Sequence, residues 1–228
     1  MIIDVKGLTY RYSDGTEALR GVDFRMDKSE SVALFGSNGS GKTTFLLHLA
    51  GLLEGEGTVR IAGESLTRAS APALRQKVGY VFQDSDDQLF MPTVLEDVAF
   101  GPLHRGMEAR EAERRALELL SQLGISELAG RVPYHLSAGE KKRAALAGVL
   151  AMSPEILIFD EPTTFLDPPG QRELAHLLLA LPQAKLIATH DVWFARQVAR
   201  RALFFEKGRI IADGPIDEVA ARFDWRLH

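Results

Sequence analysis

The sequence predicts an α/β fold. A parallel sheet covered on both faces is preceded by an antiparallel β region and interrupted by a helical block. Three observations predict it. Short, nearly continuous apolar runs such as 31–36 and 156–159 alternate with helical patterns, as buried parallel strands do. Residues 2–12 and 17–26 read as two strands joined through a Ser13-Asp14-Gly15 turn. After Gln83, residues 84–152 read mostly as helix, and the α/β rhythm returns only after Pro154.

The elements follow in order. The strand at 31–36 leads into a helix over 41 to about 53, and further β structure covers 57–62 and 78–82. Residues 108–123 form an amphipathic helix. Ala112, Ala116, Leu120 and Leu123 share one face, and Arg110, Glu111, Arg114 and Arg115 lie on the others. A helix at 138–152 precedes the strand 156–159. Then come a helix at 171–181, a strand at 185–189, a helix at 191–201 and a hairpin of 202–206 with 209–212 around Lys207-Gly208. Beyond Gly214-Pro215 there is room for one last helix and no regulatory domain.

Composition bounds the function. The chain has 228 residues, 46% of them hydrophobic, with a formal net charge of -4, so nothing favours a nucleic-acid partner. The clusters Lys141-Lys142-Arg143 and Arg196, Arg200, Arg201 read as solvated helix faces. There is no cysteine, which excludes disulfides, thiolate metal sites and a cysteine nucleophile. The N-terminus has no signal-peptide pattern. Apolar runs such as 177–181 fall far short of the ~20 residues that span a bilayer. Work at a membrane would need another chain.

Gly36-Ser37-Asn38-Gly39-Ser40-Gly41-Lys42-Thr43 fits G-x-x-x-x-G-K-[ST], between a strand and a helix, with Thr44 following. Glycines let backbone N–H groups curl around phosphate oxygens, and the helix adds its positive end. Lys42 reaches the outer phosphates and the Thr43 hydroxyl suits Mg²⁺. The motif is that of a P-loop NTPase. Asp160 ends the apolar run 156–159, placed to hold Mg²⁺, and Glu161 behind it can polarise a water.

With these motifs the chain resembles the ATP-binding-cassette (ABC) ATPases along nearly its whole length. Leu136-Ser137-Ala138-Gly139-Glu140 is similar to the family's LSGGQ signature, and Phe165-Leu166-Asp167 to its D-loop. His190 stands where the family has its switch histidine, and Gln83 where it has the Q-loop glutamine that senses the γ-phosphate and Mg²⁺. Tyr12 stands where the family stacks an aromatic on adenine, with plain core packing as the alternative. The resemblance implies one domain over 1–228. Its α/β core and β subdomain take about 1–83 and 153–228, and its helical subdomain about 84–152. It also implies ATP and Mg²⁺ as ligands, and a dimer in which Ser137, Gly139 and Glu140 of one cassette meet the nucleotide on the other's loop. That dimer could be a homodimer or a heterodimer. Ala138 and Glu140 depart from the signature. Ser137-x-x-Glu140 also reads as a capping box, which gives Glu140 a second possible task.

The stretch from Gln83 through Asp84, Asp86, Asp87, Gln88, Leu89 and Phe90 to Gly101-Pro102 resembles the ATPases of energy-coupling-factor importers, including cobalt, nickel and biotin systems. The resemblance implies work at the cytoplasmic face of the cell membrane, with a transmembrane coupling subunit and a substrate-binding membrane subunit. The aspartates would attract a basic partner helix, and Leu89 and Phe90 would anchor it. The alternative is a soluble cassette ATPase such as one serving iron–sulfur cluster assembly. Phe165 reads as a packing residue. His48, His104, His135, His176 and His228 read as structural or exposed.

Overall fold

A computed structural model describes residues 1–225. β1 (Ile3–Arg11) and β2 (Glu17–Met26) pair antiparallel, and β1 also pairs antiparallel with β4 (Glu56–Ile61). With the short β5 (Glu64–Ser65) they make a sheet ordered β2-β1-β4-β5. The second sheet contains β3 (Ser31–Phe35), β6 (Val78–Val81), β7 (Ile156–Asp160), β8 (Ala184–Ala188), β9 (Arg201–Glu206) and β10 (Arg209–Pro215), in the order β10-β9-β3-β8-β7-β6. All its pairings are parallel except β9 with β10.

Period-2 alternation places this sheet between two apolar layers. Val32, Leu34, Ile156 and Ile158 point into a core shared with the first sheet, whereas Leu157 and Phe159 point into a core shared with the helical block. α1 (Lys42–Leu49) lies between the two sheets. Its Phe45 ring meets Phe24 of β2 at 5.7 Å and Phe205 of β9 at 5.3 Å.

The helices between β6 and β7 are α3 (Val94–His104), α4 (Ala109–Gln122) and α5 (Ala138–Ala151), after the single turn α2 (Ala71–Leu74). α4 buries Ala112, Ala116 and Leu120, the face its periodicity marked, and Leu123 just past its end is buried too. α6 (Pro168–Ala180), α7 (Val192–Val198) and α8 (Ile216–Arg222) complete the α-helices among the described residues.

Several boundaries differ from expectation. α1 stops at Leu49 because Gly51 turns left-handed at φ +67°, and Leu52 N–H donates back to Leu47 O. α6 starts earlier than 171, since Asp167 caps it and Pro168 is well tolerated in a first turn. α7 ends at Val198, so Arg200 and Arg201 are not on a helix. Arg201 opens β9 and binds Asp213 at 2.6 Å and Glu30 at 3.0 Å. Lys142 is likewise no solvated side chain. It is 3% exposed, and its Nζ donates to Phe82 O at 3.1 Å and Gln83 O at 2.9 Å.

Candidate nucleotide site

Parallel pairing brings the C-terminal ends of β3, β8, β7 and β6 to one edge of the sheet, where α/β folds bind ligands. Gly36 to Thr44 follows β3, Asp160 and Glu161 follow β7, His190 follows β8 and Gln83 follows β6.

The loop closes against β9. A Cβ at Gly36 would lie 2.3 Å from Phe205 O, and φ there is +138°, so no side chain fits. Gly41 at φ +109° is crowded too, 2.7 Å from Ala18 O, and Gly39 is left-handed in open space. Ser37, Asn38, Gly39 and Thr43 are exposed, while Ser40, Lys42 and Thr44 are buried. Lys42 Nζ donates to Gly36 O at 2.6 Å and Ser37 O at 3.2 Å, tying the loop across its mouth. Burial pushes the Lys42 ammonium below its usual range, and Glu161 and Asp160 partly restore it. Ser40 Oγ is buried with no hydrogen-bond partner in the chain. Such an orphan suits a loop shaped to bind something.

Tyr12 is brought to this loop. Its hydroxyl lies 2.9 Å from Thr44 Oγ1 and its ring meets Tyr10 edge-on at 4.9 Å, leaving the residue 37% exposed. It is therefore not plain core.

Glu161 sits at φ +45°, a strained value for a side-chain-bearing residue and typical of functional sites. Its Oε2 accepts the His190 backbone N–H at 3.2 Å. His190 Nε2 lies 3.0 Å from both Asn38 Oδ1 and Glu161 Oε1. With its proton on Nε2 the ring donates to Asn38, and Glu161 Oε1 stays buried without a hydrogen bond. Burial raises the Glu161 carboxyl, offset in part by Lys42, and burial lowers His190 with help from the Lys42 charge. Asp160 is 6% exposed, and its Oδ2 accepts from the Tyr80 hydroxyl at 3.0 Å. Burial, then the Asp160 charge, pushes that phenol far up, so it remains a donor.

The remaining candidates lie apart. The Gln83 side chain is exposed at the seam with the helical block, beside Ala138, Lys141 and Phe165. Ser137 and Glu140 form a full capping box on α5: Ser137 N–H and Oγ each reach Glu140 Oε2 at 2.7 Å, and Glu140 N–H donates to Ser137 Oγ at 3.4 Å. The cap is thus one real task of Glu140. A Cβ on Gly139 would meet nothing nearer than Leu166 Cδ2 at 4.0 Å. Nothing inside this chain requires a glycine there. Asp167 caps α6 through Gly170 N–H at 2.9 Å. Phe165 is 73% exposed at φ +66° and packs on no core, contrary to expectation.

Of the histidines, His48 is buried with Nδ1 2.7 Å from Thr44 O, and His104, His135 and His176 are exposed. His228 lies outside the described residues. Sequence reasoning missed Tyr80, Lys142 and the work of Gln88, which accepts from Phe82 N–H and donates to Ala145 O, each at 3.3 Å. Alternation along β6 was the available signal for Tyr80. For Lys142 there was none.

Residues 19–164 match the ABC transporter family model. A relative in Geobacter sulfurreducens, assigned to the ABC transporter ATP-binding proteins, is 49% identical over 96% of this chain and 88% of its own. The energy-coupling factor transporter ATP-binding protein EcfA of Methanosphaera stadtmanae is 45% identical over 96% and 81%. Among solved structures, CbiO1 of Clostridium perfringens, part of the ABC transporter complex cbiONQ, superposes with a TM-score of 0.88. It is 37% identical and covers 98% of this chain and 92% of its own. The ATP-binding cassette MJ0796, solved as a dimer in a post-hydrolysis state with ADP and Pi, gives a TM-score of 0.85 at 28% identity, covering 94% and 99%. Loop, strand ends and relatives agree: the chain belongs to the ABC transporter ATPases, the cassettes that bind and hydrolyse ATP.

Proposed function

We propose that this ATPase powers an energy-coupling-factor-type importer of a vitamin or transition-metal ion, from the cytoplasmic face of the cell membrane. Among the described residues no helix is long and apolar enough to cross a membrane, so in this reading a coupling subunit and a substrate-binding subunit supply the membrane part. The observation that carries the reading is an apolar groove where the helical block meets the sheet. Phe90 is 65% and Phe100 40% exposed, their rings 5.0 Å apart and edge to face. A groove of about 240 Å³ runs beside them to Arg105 and Met152. Exposed paired aromatics of this kind mark a docking surface. The EcfA and CbiO1 similarities support the same class.

The anchors differ from the sequence expectation. Leu89 packs against the core. Asp86 binds Lys141 at 2.7 Å, so it is not a free charge for a basic partner. Asp84, which accepts Asp86 N–H at 2.9 Å, and Asp87 stay exposed. Phe90 keeps the anchor role expected of it, and Phe100 takes the place of Leu89. Replacing both by serine is expected to leave ATP hydrolysis of the isolated chain within about twofold while cutting recovery of membrane subunits in pull-down at least ~10-fold, the scale of losing a buried aromatic contact. Undiminished recovery overturns the docking assignment.

In the cassette the loop amides and Lys42 hold the phosphates of ATP, Tyr12 stacks on the adenine, and Ser37 to Ser40 complete the cradle. Glu161, its carboxyl raised by burial, takes a proton from the attacking water as the water oxygen bonds to the γ-phosphorus and the bond from that phosphorus to the bridging oxygen breaks, releasing ADP and phosphate. His190, held by Glu161 and Asn38, steadies the γ-phosphate, and Gln83 senses it. Asp160 and the Thr43 hydroxyl form an oxygen-only donor set that fits Mg²⁺, which when bound neutralises phosphate charge. Ser137, Gly139, Glu140 and Asp167 face a second cassette, a homodimer or heterodimer partner. The open space around Gly139 suits an incoming phosphate.

A further inference from the structure

His190 is fixed at one edge only. Glu161 accepts its backbone N–H, and its Nε2 lies between Asn38 and Glu161, while the side chain is 42% exposed. A ring held at one edge can tilt. A second ring stands beside it. The Trp225 indole stands 5.9 Å from the imidazole at an interplanar angle of 33°.

The indole is itself well seated. Trp225 N–H donates to Ala220 O at 2.8 Å, just past α8. Its ring meets Phe204 edge-on at 5.2 Å and 89°, and Phe204 stacks on Phe223 at 3.9 Å. Phe204 is the β9 residue in register with Phe35, which precedes Gly36. The strand pair that carries the phosphate loop therefore also seats the indole. The indole Nε1 is buried without a hydrogen-bond partner. A buried orphan donor costs stability, so ring contacts hold Trp225 in place.

We propose that Trp225 is a positioning residue for His190, its indole setting the tilt that keeps Nε2 between Asn38 and Glu161. This rests on the assignment of His190 to the hydrolytic site.

The experiment compares steady-state ATP hydrolysis of the full chain for wild type, Trp225→Leu, Trp225→Phe, His190→Ala and the double variant His190→Ala/Trp225→Leu. Leucine keeps apolar contact with Phe204 but removes the ring. Trp225→Leu is expected to lower kcat about 10-fold with KM for ATP within about twofold, since small misplacements near reacting groups are costly. Trp225→Phe regains most of the loss. In the His190→Ala background Trp225→Leu changes kcat by less than about twofold, the non-additivity of residues acting as a unit. An unchanged kcat in Trp225→Leu, or an equal further loss in the His190→Ala background, overturns the proposal while a defective His190→Ala leaves the histidine's own role standing. A fully active His190→Ala overturns that role and this inference with it. Should Trp225→Leu not fold, Trp225→Phe decides: a loss of about two- to threefold in wild type and none in His190→Ala supports positioning, and equal losses in both overturn it.

Discussion

The phosphate loop and the signature loop are built on opposite principles. The first is strained and unsatisfied: Gly36 and Gly41 allow backbone no other residue could follow, Glu161 is left-handed, and Ser40 Oγ and Glu161 Oε1 are buried without hydrogen bonds. The second is relaxed. Ser137 and Glu140 satisfy one another at the head of α5, and Gly139 is free of crowding. In the proposed cycle the loop that grips the ligand carries its preorganisation as cost, whereas the loop that would meet a partner is stable by itself and leaves space.

Substitutions can break this contrast. The largest effects belong to the phosphate loop's charges. Lys42→Ala is expected to weaken ATP binding in calorimetry at least ~100-fold, by loss of a charge-assisted contact. Glu161→Gln is expected to keep binding, lose turnover at least ~100-fold as a positioned base does, and accumulate as an ATP-bound dimer in size exclusion. Near-normal turnover in the glutamine variant removes Glu161 from the base role. Gly36→Ala comes next. Its methyl meets Phe205 O, so urea denaturation should show a loss of roughly 2–4 kcal/mol, as overpacking at a left-handed position does.

Lys142 gives a test by pH. Burial, offset in part by Asp84, pushes its ammonium from 10.5 down to about 8. Below about 8 it is charged in folded and unfolded chains alike. Between about 8 and 10.5 the folded chain binds fewer protons, so its contribution to stability climbs as pH rises. The wild type should gain roughly 2–3 kcal/mol over Lys142→Met across that window in chemical denaturation. Parallel curves for the two proteins contradict it.

The smallest effects belong to the signature loop. Ser137→Ala should cost about 1 kcal/mol, the worth of an N-cap. Glu140→Gln should cost no more than a few tenths, because glutamine also closes a capping box. A Glu140→Gln loss as large as that of Ser137→Ala means that charge, not the box, stabilises α5.

The same contrast explains what was legible in the sequence. Gly36 to Thr44 could be read because its chemistry is local: glycines, lysine and hydroxyls adjacent in the chain, between a strand and a helix. Asp160 and Glu161 could be read because strand 156–160 announces its own end. The α4 face was legible through its period. Lys142 was not, because a Lys-Lys-Arg run looks solvated until folding brings the Phe82 and Gln83 carbonyls, 60 and 59 residues away, over it. Nor was the Trp225 contact with His190, which depends on where α8 lies against β9. The early end of α7 was missed because Arg200 and Arg201 extend a helical pattern that the Arg201 ion pairs override.

The grip of Lys142 also bears on how motion leaves the site. A transmission that slides loses travel to slack at every joint. Here one rod, α5, holds the signature serine at its tip and, about one and a half turns along, a lysine bolted to the chain on either side of the peptide joining Phe82 to Gln83. In the proposed cycle a displacement of Gln83 would pull on the rod that carries Ser137. The two stretches proposed to read the nucleotide are thus tied to one another within a single chain.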